Sequence, residues 1–198
     1  MKMGRDIWIF GAGGHGMVVA ETALENGFKL SGFLDDDEGK WENTILGFKV
    51  LGGKRLVKPG DSVILGIGSN LQRRKVGEWL EKMGAHLFGV SHPGASISNS
   101  SVVGPGVVII GHSVVNAAAT IGKGAILNTN STVDHECTIS DYVHIAPGVN
   151  LAGNVTVGAN SFIGIGTKVI PGITIGKDCI IGAGCVILKN VADGEKVV

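Results

Sequence analysis

The residues best suited to chemistry in this 198-residue chain are three histidines of its second half, His112, His135 and His144. They stand in a stretch nearly free of other ionisable groups: positions 97–192 hold four lysines, no arginine and four acids, Asp134, Glu136, Asp141 and Asp178. His135 lies between two of those acids in Asp134-His135-Glu136. An imidazole beside a carboxylate suits general-base work near neutral pH, so this triplet is the first candidate for a proton-transfer step. The other common use of histidine is metal ligation, but the His-x4-His spacing of a histidine-zinc site is absent, and no metal is expected. Three cysteines without metal-ligand spacing fit packing in a reducing compartment better than a disulfide framework.

The first half carries a second kind of chemistry. Positions 7–10, an apolar strand, run straight into Gly11-Ala12-Gly13-Gly14-His15-Gly16 and an apolar helix over 15–27. Free amides at such a helix start hold phosphate, and His15 inside the loop can donate to a ligand oxygen. A second strand, 29–34, ends in Asp35-Asp36-Asp37, where Asp35 or Asp36 can meet a ribose or base. A third, 62–67, leads through Gly68-Ser69-Asn70 into a helix rich in Arg73, Arg74 and Lys75; Arg73 and Arg74 read as a solvated face, with reach to a phosphate as the alternative for one of them. A fourth spans 86–90. Strands alternating with helices predict a small parallel sheet, Rossmann-like and too short for a full dinucleotide site; a mononucleotide group fits better.

What must position the histidines is a repeat. From Ile97, stepping by six through Val103 and Ile109 to Ile187, all sixteen positions are aliphatic. Four residues after each lies a small or modest side chain, and Cys137, Cys179 and Cys185 fall in that slot, as packed thiols rather than nucleophiles. A period of six fits neither a helix nor a flat strand; it predicts a parallel β-helix, three short strands and three corners to a turn of about 18 residues. Glycine, Asn or Asp often follows the aliphatic position directly, as at Gly104, Gly122, Asn128, Asp134 and Gly158, and these are expected to take the positive φ of tight corners.

An 18-residue turn stacks Ala117 and Gly153 on either side of His135, leaving room for a substrate beside the ring. It also stacks Gly148, Gly166 and Gly184 next to Ala146, Gly164 and Gly182, a strip against which an extended thiol arm can lie. His144 is half a turn from His135, so one prism cannot aim both at one pocket, and a shared site would need two subunits. Seventeen basic residues balance seventeen acidic ones, which gives no electrostatic footprint for nucleic acid or an acidic membrane. The apolar runs are short and broken by glycine, with no bilayer span and no secretory signal; a cytoplasmic protein is expected.

The order GAGGHG, DDD, GIGSN, NTNSTVDHE and YVHIAPG resembles the bacterial sugar O- and N-acyltransferases of the hexapeptide-repeat class, typified by nucleotide-4-amino-sugar N-acetyltransferases and sialic acid O-acetyltransferases. The resemblance covers essentially the whole chain. It implies an α/β nucleotide-sugar-binding domain at 1–92 and a left-handed parallel β-helix at 93–198, assembled as a homotrimer with sites between subunits. It implies acetyl-CoA as co-substrate and a UDP-linked 4-amino-4,6-dideoxy sugar as acceptor. By matching motifs, His135 is the general base and Glu136 its tuning carboxylate. Gly13, Gly14 and His15 meet the nucleotide sugar, Asp35 and Asp36 its uridine, and Asn128 the sugar. His144 lies near the thioester, where it or a backbone amide stabilises the oxyanion, and Ile165 and Ala183 contact coenzyme A through their backbones. The competing readings are O-acetylation of sialic acid or a related sugar, and a non-catalytic partner of another biosynthetic enzyme.

Overall fold

The computed structural model describes residues 7–198. In chain order the first half forms β1 (Ile7–Phe10), α1 (Gly14–Glu25), β2 (Leu30–Leu34), β3 (Thr44–Ile45), β4 (Phe48–Gly52), β5 (Ser62–Leu65), α2 (Asn70–Lys82) and β6 (His86–Leu87). β1 and β5 are nearly continuous apolar runs buried on both faces, and so take the centre of a sheet. The order across the sheet is β3-β4-β2-β1-β5-β6, parallel except for the β3–β4 hairpin. That hairpin is absent from the sequence reading. Its two-residue turn, Leu46-Gly47, has φ of 50° and 82°, the primed-turn geometry usually announced by Asn-Gly, and leucine gives no such signal.

The second half is the expected parallel β-helix. Each of the sixteen aliphatic positions is the second residue of a two-residue strand, from Ser96–Ile97 to Val186–Ile187. The strands stack in register at 18-residue spacing, Ile109 on Leu127, Leu127 on Ile145, Ile145 on Ile163, in three parallel sheets of seven, six and five strands. The fourteen from Ile109 to Ile187 fill the axis, while Ile97 is partly buried and Val103 is exposed in the first turn. Ser113, Ser131, Ser161, Thr167, Cys137 and Cys179 are buried in the small-residue slot, with Cys137 Sγ donating to the Ala152 carbonyl (3.2 Å). The coil begins one unit before Ile97: Val90–Ser91, expected as the tail of a Rossmann strand, pairs with Val108–Ile109 instead.

The corners differ from expectation. Positive φ recurs at every sixth residue from Gly106 to Gly184, through His112, Ala118, Glu136 and Tyr142. This is three residues after the aliphatic position, not one. The glycines that follow the aliphatic residue serve close stacking: a Cβ at Gly158 would lie 2.5 Å from the Gly176 backbone, and one at Gly164 would lie 2.6 Å from Gly182. The six-residue period fixed the corner's place but not which residue bears its strain.

The two halves share their cores. α1 lays Val19, Ala20 and Ala23 against Val90, Val108, Ile110 and Ile126 on the outer face of one β-helix sheet. α2 packs Val76 and Leu80 with Tyr142. Between them lies Arg73, which is not on a solvated face but fully buried. Its guanidinium donates to the carbonyls of Gly124 (2.7 Å) and Tyr142 (2.8 Å) in the β-helix, and to those of Ile67 (3.1 Å) and Gly68 (3.0 Å) in the sheet domain. It also donates to Asn70 Oδ1 (3.0 Å). Among the described residues no helix is long and apolar enough to cross a membrane.

Buried carbonyls left without a donor cost about 1–3 kcal/mol each. Arg73→Met is therefore expected to destabilise the protein by on the order of 3 kcal/mol or more, whereas Arg74→Met, one residue on, changes stability by less than about 0.5 kcal/mol. Calorimetric unfolding of the two variants tests this; equal transitions would show that the seam does not depend on the guanidinium.

Candidate active site

The glycine loop is built as its spacing suggests. Gly11 has φ of 116°, and a Cβ there would meet the Gly66 carbonyl at 2.6 Å; Gly16 approaches the Gly11 carbonyl too closely for any side chain. At Gly13 and Gly14 a Cβ would meet nothing within 4 Å, so these two leave bare backbone open at the start of α1, with no side chain capping the helix. Asp35 is not free: its Oδ2 accepts from the Ala12 amide (2.8 Å) and Lys40 (2.9 Å), and its Oδ1 from the Asp37 amide (2.9 Å). Burial alone would raise its pKa, but these bonds outweigh it and hold the carboxyl below its ordinary value. Asp36, half-exposed, pairs with Lys54 (2.6 Å) at the rim.

His15, His144 and Asn128 come together where the sheet domain meets the β-helix. The His15 and His144 ring centroids are 6.2 Å apart, and Phe162 stands edge-on to His144 at 5.2 Å. His144 Nδ1 donates to the Gly68 carbonyl (3.3 Å), while its Nε2 faces Asn128 Nδ2 at 3.2 Å. Burial first, then the Arg73 charge, lower the pKa of His15 to about 4. The same two causes, with His15 after them, lower that of His144 to about 3. Both rings are therefore neutral at physiological pH. His15 Nε2 is buried without a protein partner.

His135 lies elsewhere. Thr132–Val133, which leads to it, belongs to a different sheet from His144–Ile145. The ring is mostly exposed at a corner and its Nδ1 is 3.1 Å from Glu136 Oε2. Asp134 does not touch the ring; it accepts from the His135 amide (2.7 Å) and Asn116 (2.8 Å), bonds that hold its pKa low. A Cβ at Gly153 would fall 2.5 Å from the imidazole, so the small stacked neighbour is there because the ring occupies its space. The glycine strip is also present. Gly166 and Gly184 have φ of 70° and 72°, and a Cβ on either would meet nothing within 4 Å; beside them Ile165 and Ala183 are exposed. Among the described residues no three His, Cys, Asp or Glu side chains are grouped to hold a metal ion.

Comparison with known proteins matches this fold over nearly the whole chain. The PglD N-terminal domain family matches residues 6–80, and the bacterial transferase hexapeptide (six repeats) family matches residues 154–189. A variant of perosamine N-acetyltransferase from Caulobacter crescentus, solved in complex with CoA and GDP-perosamine, is 34% identical. The match covers 95% of this chain and 90% of that one, with a TM-score of 0.89. The chain belongs to the hexapeptide-repeat family of bacterial sugar acyltransferases. The acetyltransferase domain of PglB from Neisseria gonorrhoeae, in complex with acetyl coenzyme A, is 35% identical to this acyltransferase (98% and 96% covered, TM-score 0.91). WeeI from Acinetobacter baumannii is 30% identical over the same shares, with a TM-score of 0.90.

The residue of this acyltransferase that sequence reasoning misplaced is Arg73. A signal existed: Arg73, Val76, Gly77 and Leu80 form one stripe of α2 and all four are buried, and a Cβ at Gly77 would strike the Tyr142 hydroxyl at 2.6 Å. The charge of Arg73 masked a helical period that places it on the buried face.

The buried histidines set an acid sensitivity. In the folded protein both stay neutral well below the ordinary histidine pKa of 6.5, while the unfolded chain takes up a proton on each. Between pH 6.5 and about 4 the unfolded state thus binds more protons and stability falls with pH, by about 1.4 kcal/mol per unit for each histidine. Chemical unfolding across this range is expected to be steeper in pH for the wild type than for the His15→Asn/His144→Asn double variant; parallel curves would contradict the burial of neutral rings.

Proposed function

We propose that this acyltransferase moves the acetyl group of acetyl-CoA onto the 4-amino group of a nucleotide-linked 4-amino-4,6-dideoxy sugar. The observation that carries the reading is the docking of an open glycine loop, with His15, against the β-helix face that bears His144. Support comes from relatives solved with CoA and GDP-perosamine and with acetyl coenzyme A. The division of labour follows the two halves. Residues 1–92 hold the nucleotide sugar: the amides around Gly13 and Gly14 take its phosphates, Asp35 fixes the loop's shape, and Asp36 is the acid left at the rim for the base. UDP is the proposed carrier, with GDP its competitor. Residues 93–198 hold acetyl-CoA along the strip of Gly148, Gly166 and Gly184, with the backbone of Ile165 and Ala183 within reach.

In the reaction, His135 Nε2 removes a proton from the sugar amine while Glu136 holds Nδ1. The nitrogen lone pair forms the C–N bond at the thioester carbonyl and the C=O pair moves onto oxygen. Collapse breaks the C–S bond, and the departing thiolate takes the proton from the imidazolium. No cysteine is needed, and two of the three are fully buried. His135 and the His15–His144 seam lie on different edges of one prism, so the proposed site joins the His135 of one chain to the seam of another, as in a homotrimer.

His135→Ala is expected to lower kcat by about two to four powers of ten with little change in KM for the nucleotide sugar. Mixing His135→Ala with His144→Leu subunits before reassembly is expected to recover part of the activity. Wild-type turnover by His135→Ala would overturn the base assignment, and no recovery on mixing would overturn the two-chain site.

A further inference from the structure

The hydrogen bonds around His144 admit only one arrangement of protons. The Gly68 carbonyl can only accept, so His144 Nδ1 carries the ring's hydrogen. In the neutral ring Nε2 is then a bare lone pair. The group facing it, Asn128 Nδ2, can only donate. The orientation of that amide is fixed from its other end, since Asn128 Oδ1 accepts from the Thr129 amide at 2.8 Å. Arg73 secures the same arrangement from behind by donating to the Gly68 carbonyl and, at 3.3 Å, to that of Val143. The groups facing His144 are thus Gly68, Asn128, Arg73, His15 and Phe162, with no carboxylate among them. A proton on Nε2 would point at the Asn128 amino group, in keeping with the ring's low pKa.

Two consequences follow. His144 has no N–H to offer a substrate. Asn128 does: its amide nitrogen carries two hydrogens, one goes to His144, and the other has no partner among the described residues. Asn128 also stands in a column, with Ile110 and His92 on its other side (ladder bonds from Ile110 to Leu127, 2.9 Å, and from His92 to Ile109, 2.8 Å). Stacked at 18-residue spacing below it are Ala146, Gly164 and Gly182, joined by ladder bonds from the Asn128 amide to Ile145 (2.9 Å), from Ala146 to Ile163 (3.0 Å) and from Gly164 to Ile181 (2.9 Å). This column runs beside the open glycines, and counted from Gly182 Asn128 is the first side chain in it with a hydrogen-bonding group. A thiol arm lying along the strip would bring its acyl end to that amide.

We propose that Asn128 is the side-chain donor to the thioester carbonyl, and that His144 is a positioning residue whose bare Nε2 turns the Asn128 amide toward it. This rests on the acetyl-transfer reading above. As the amine adds and the C=O pair moves onto oxygen, the free Asn128 N–H meets the developing oxyanion, and the bond loosens again when C–S cleavage restores the carbonyl. No proton leaves Asn128 or His144 in the cycle.

The test has two arms. In full-length protein labelled with 15N-histidine, long-range 1H–15N spectra at pH 7, with His144 assigned through His144→Gln, are expected to show the Nδ1–H tautomer. In Asn128→Asp, where the facing group becomes an acceptor, His144 is expected to gain a proton on Nε2. An Nε2–H tautomer or imidazolium in the wild type would overturn the proposal, as would an unchanged ring in Asn128→Asp. In the second arm, with acetyl-CoA and a UDP- or GDP-linked 4-amino-4,6-dideoxyhexose, Asn128→Asp is expected to lower kcat about 10²–10³-fold with both KM values within about threefold. His144→Gln keeps an acceptor and is expected to retain kcat within about tenfold, while His144→Leu falls as far as Asn128→Asp. Wild-type kcat in Asn128→Asp would overturn it. The tautomer arm needs no substrate, so its failure is read separately from a failure of acetyl transfer itself.

Discussion

A single buried cation holds the two halves of this protein in register. Among the described residues the guanidinium of Arg73 has no carboxylate partner; it is surrounded by carbonyl oxygens from both the sheet domain and the β-helix. Burial lowers its pKa to about 9, which still leaves it charged at neutral pH. A charge held this way repels protons from whatever lies beside it, and His15 and His144 lie beside it. It also grips the Gly68 carbonyl that orients the His144 ring. Domain docking, the His144 tautomer and, after burial, the neutrality of the two histidines all depend on this one side chain.

The β-helix contributes a different constraint, that of spacing. A turn of eighteen residues fixes what stands above and below every position, so chemistry can be arranged in columns. One column sets Asn128 above Ala146 and two glycines; another sets Gly153 under His135. The same regularity keeps His135 away from the His144 face, because nine residues are half a turn. The prism therefore sets His135 and His144 on separate edges, and the proposed reaction requires a second chain to bring them together.

Much of this was legible in the residues themselves. The sixteen aliphatic positions report the axis directly, since a prism of this period buries the fourteen from Ile109 to Ile187 together. The glycine loop and the strands around it follow from apolar runs and their punctuation. Three things were not legible. Corner strain falls on His112, Ala118, Glu136 and Tyr142, residues whose types do not advertise positive φ; the inter-coil hydrogen bonds, such as that from the Glu136 amide to Ala117 (2.9 Å), impose it. The β3–β4 turn is likewise held by strand pairing rather than by its Leu-Gly sequence. Arg73 reads as surface because its partners are backbone carbonyls far along the chain, and no side-chain pattern records them. Composition shows which groups are present, but the burial of a charge depends on which carbonyls the fold brings to it.

The central claim is that a nucleotide-linked amino sugar is the acceptor and acetyl-CoA the donor. Its most direct test is thiol release from acetyl-CoA across a panel of UDP- and GDP-linked 4-amino-4,6-dideoxy sugars, their 4-hydroxy counterparts and free sialic acid. The account predicts stoichiometric release and an N-acetylated product with at least one amino sugar, and none with its hydroxyl counterpart. Turnover of the hydroxyl acceptors alone, or release with no acceptor preference, would contradict it.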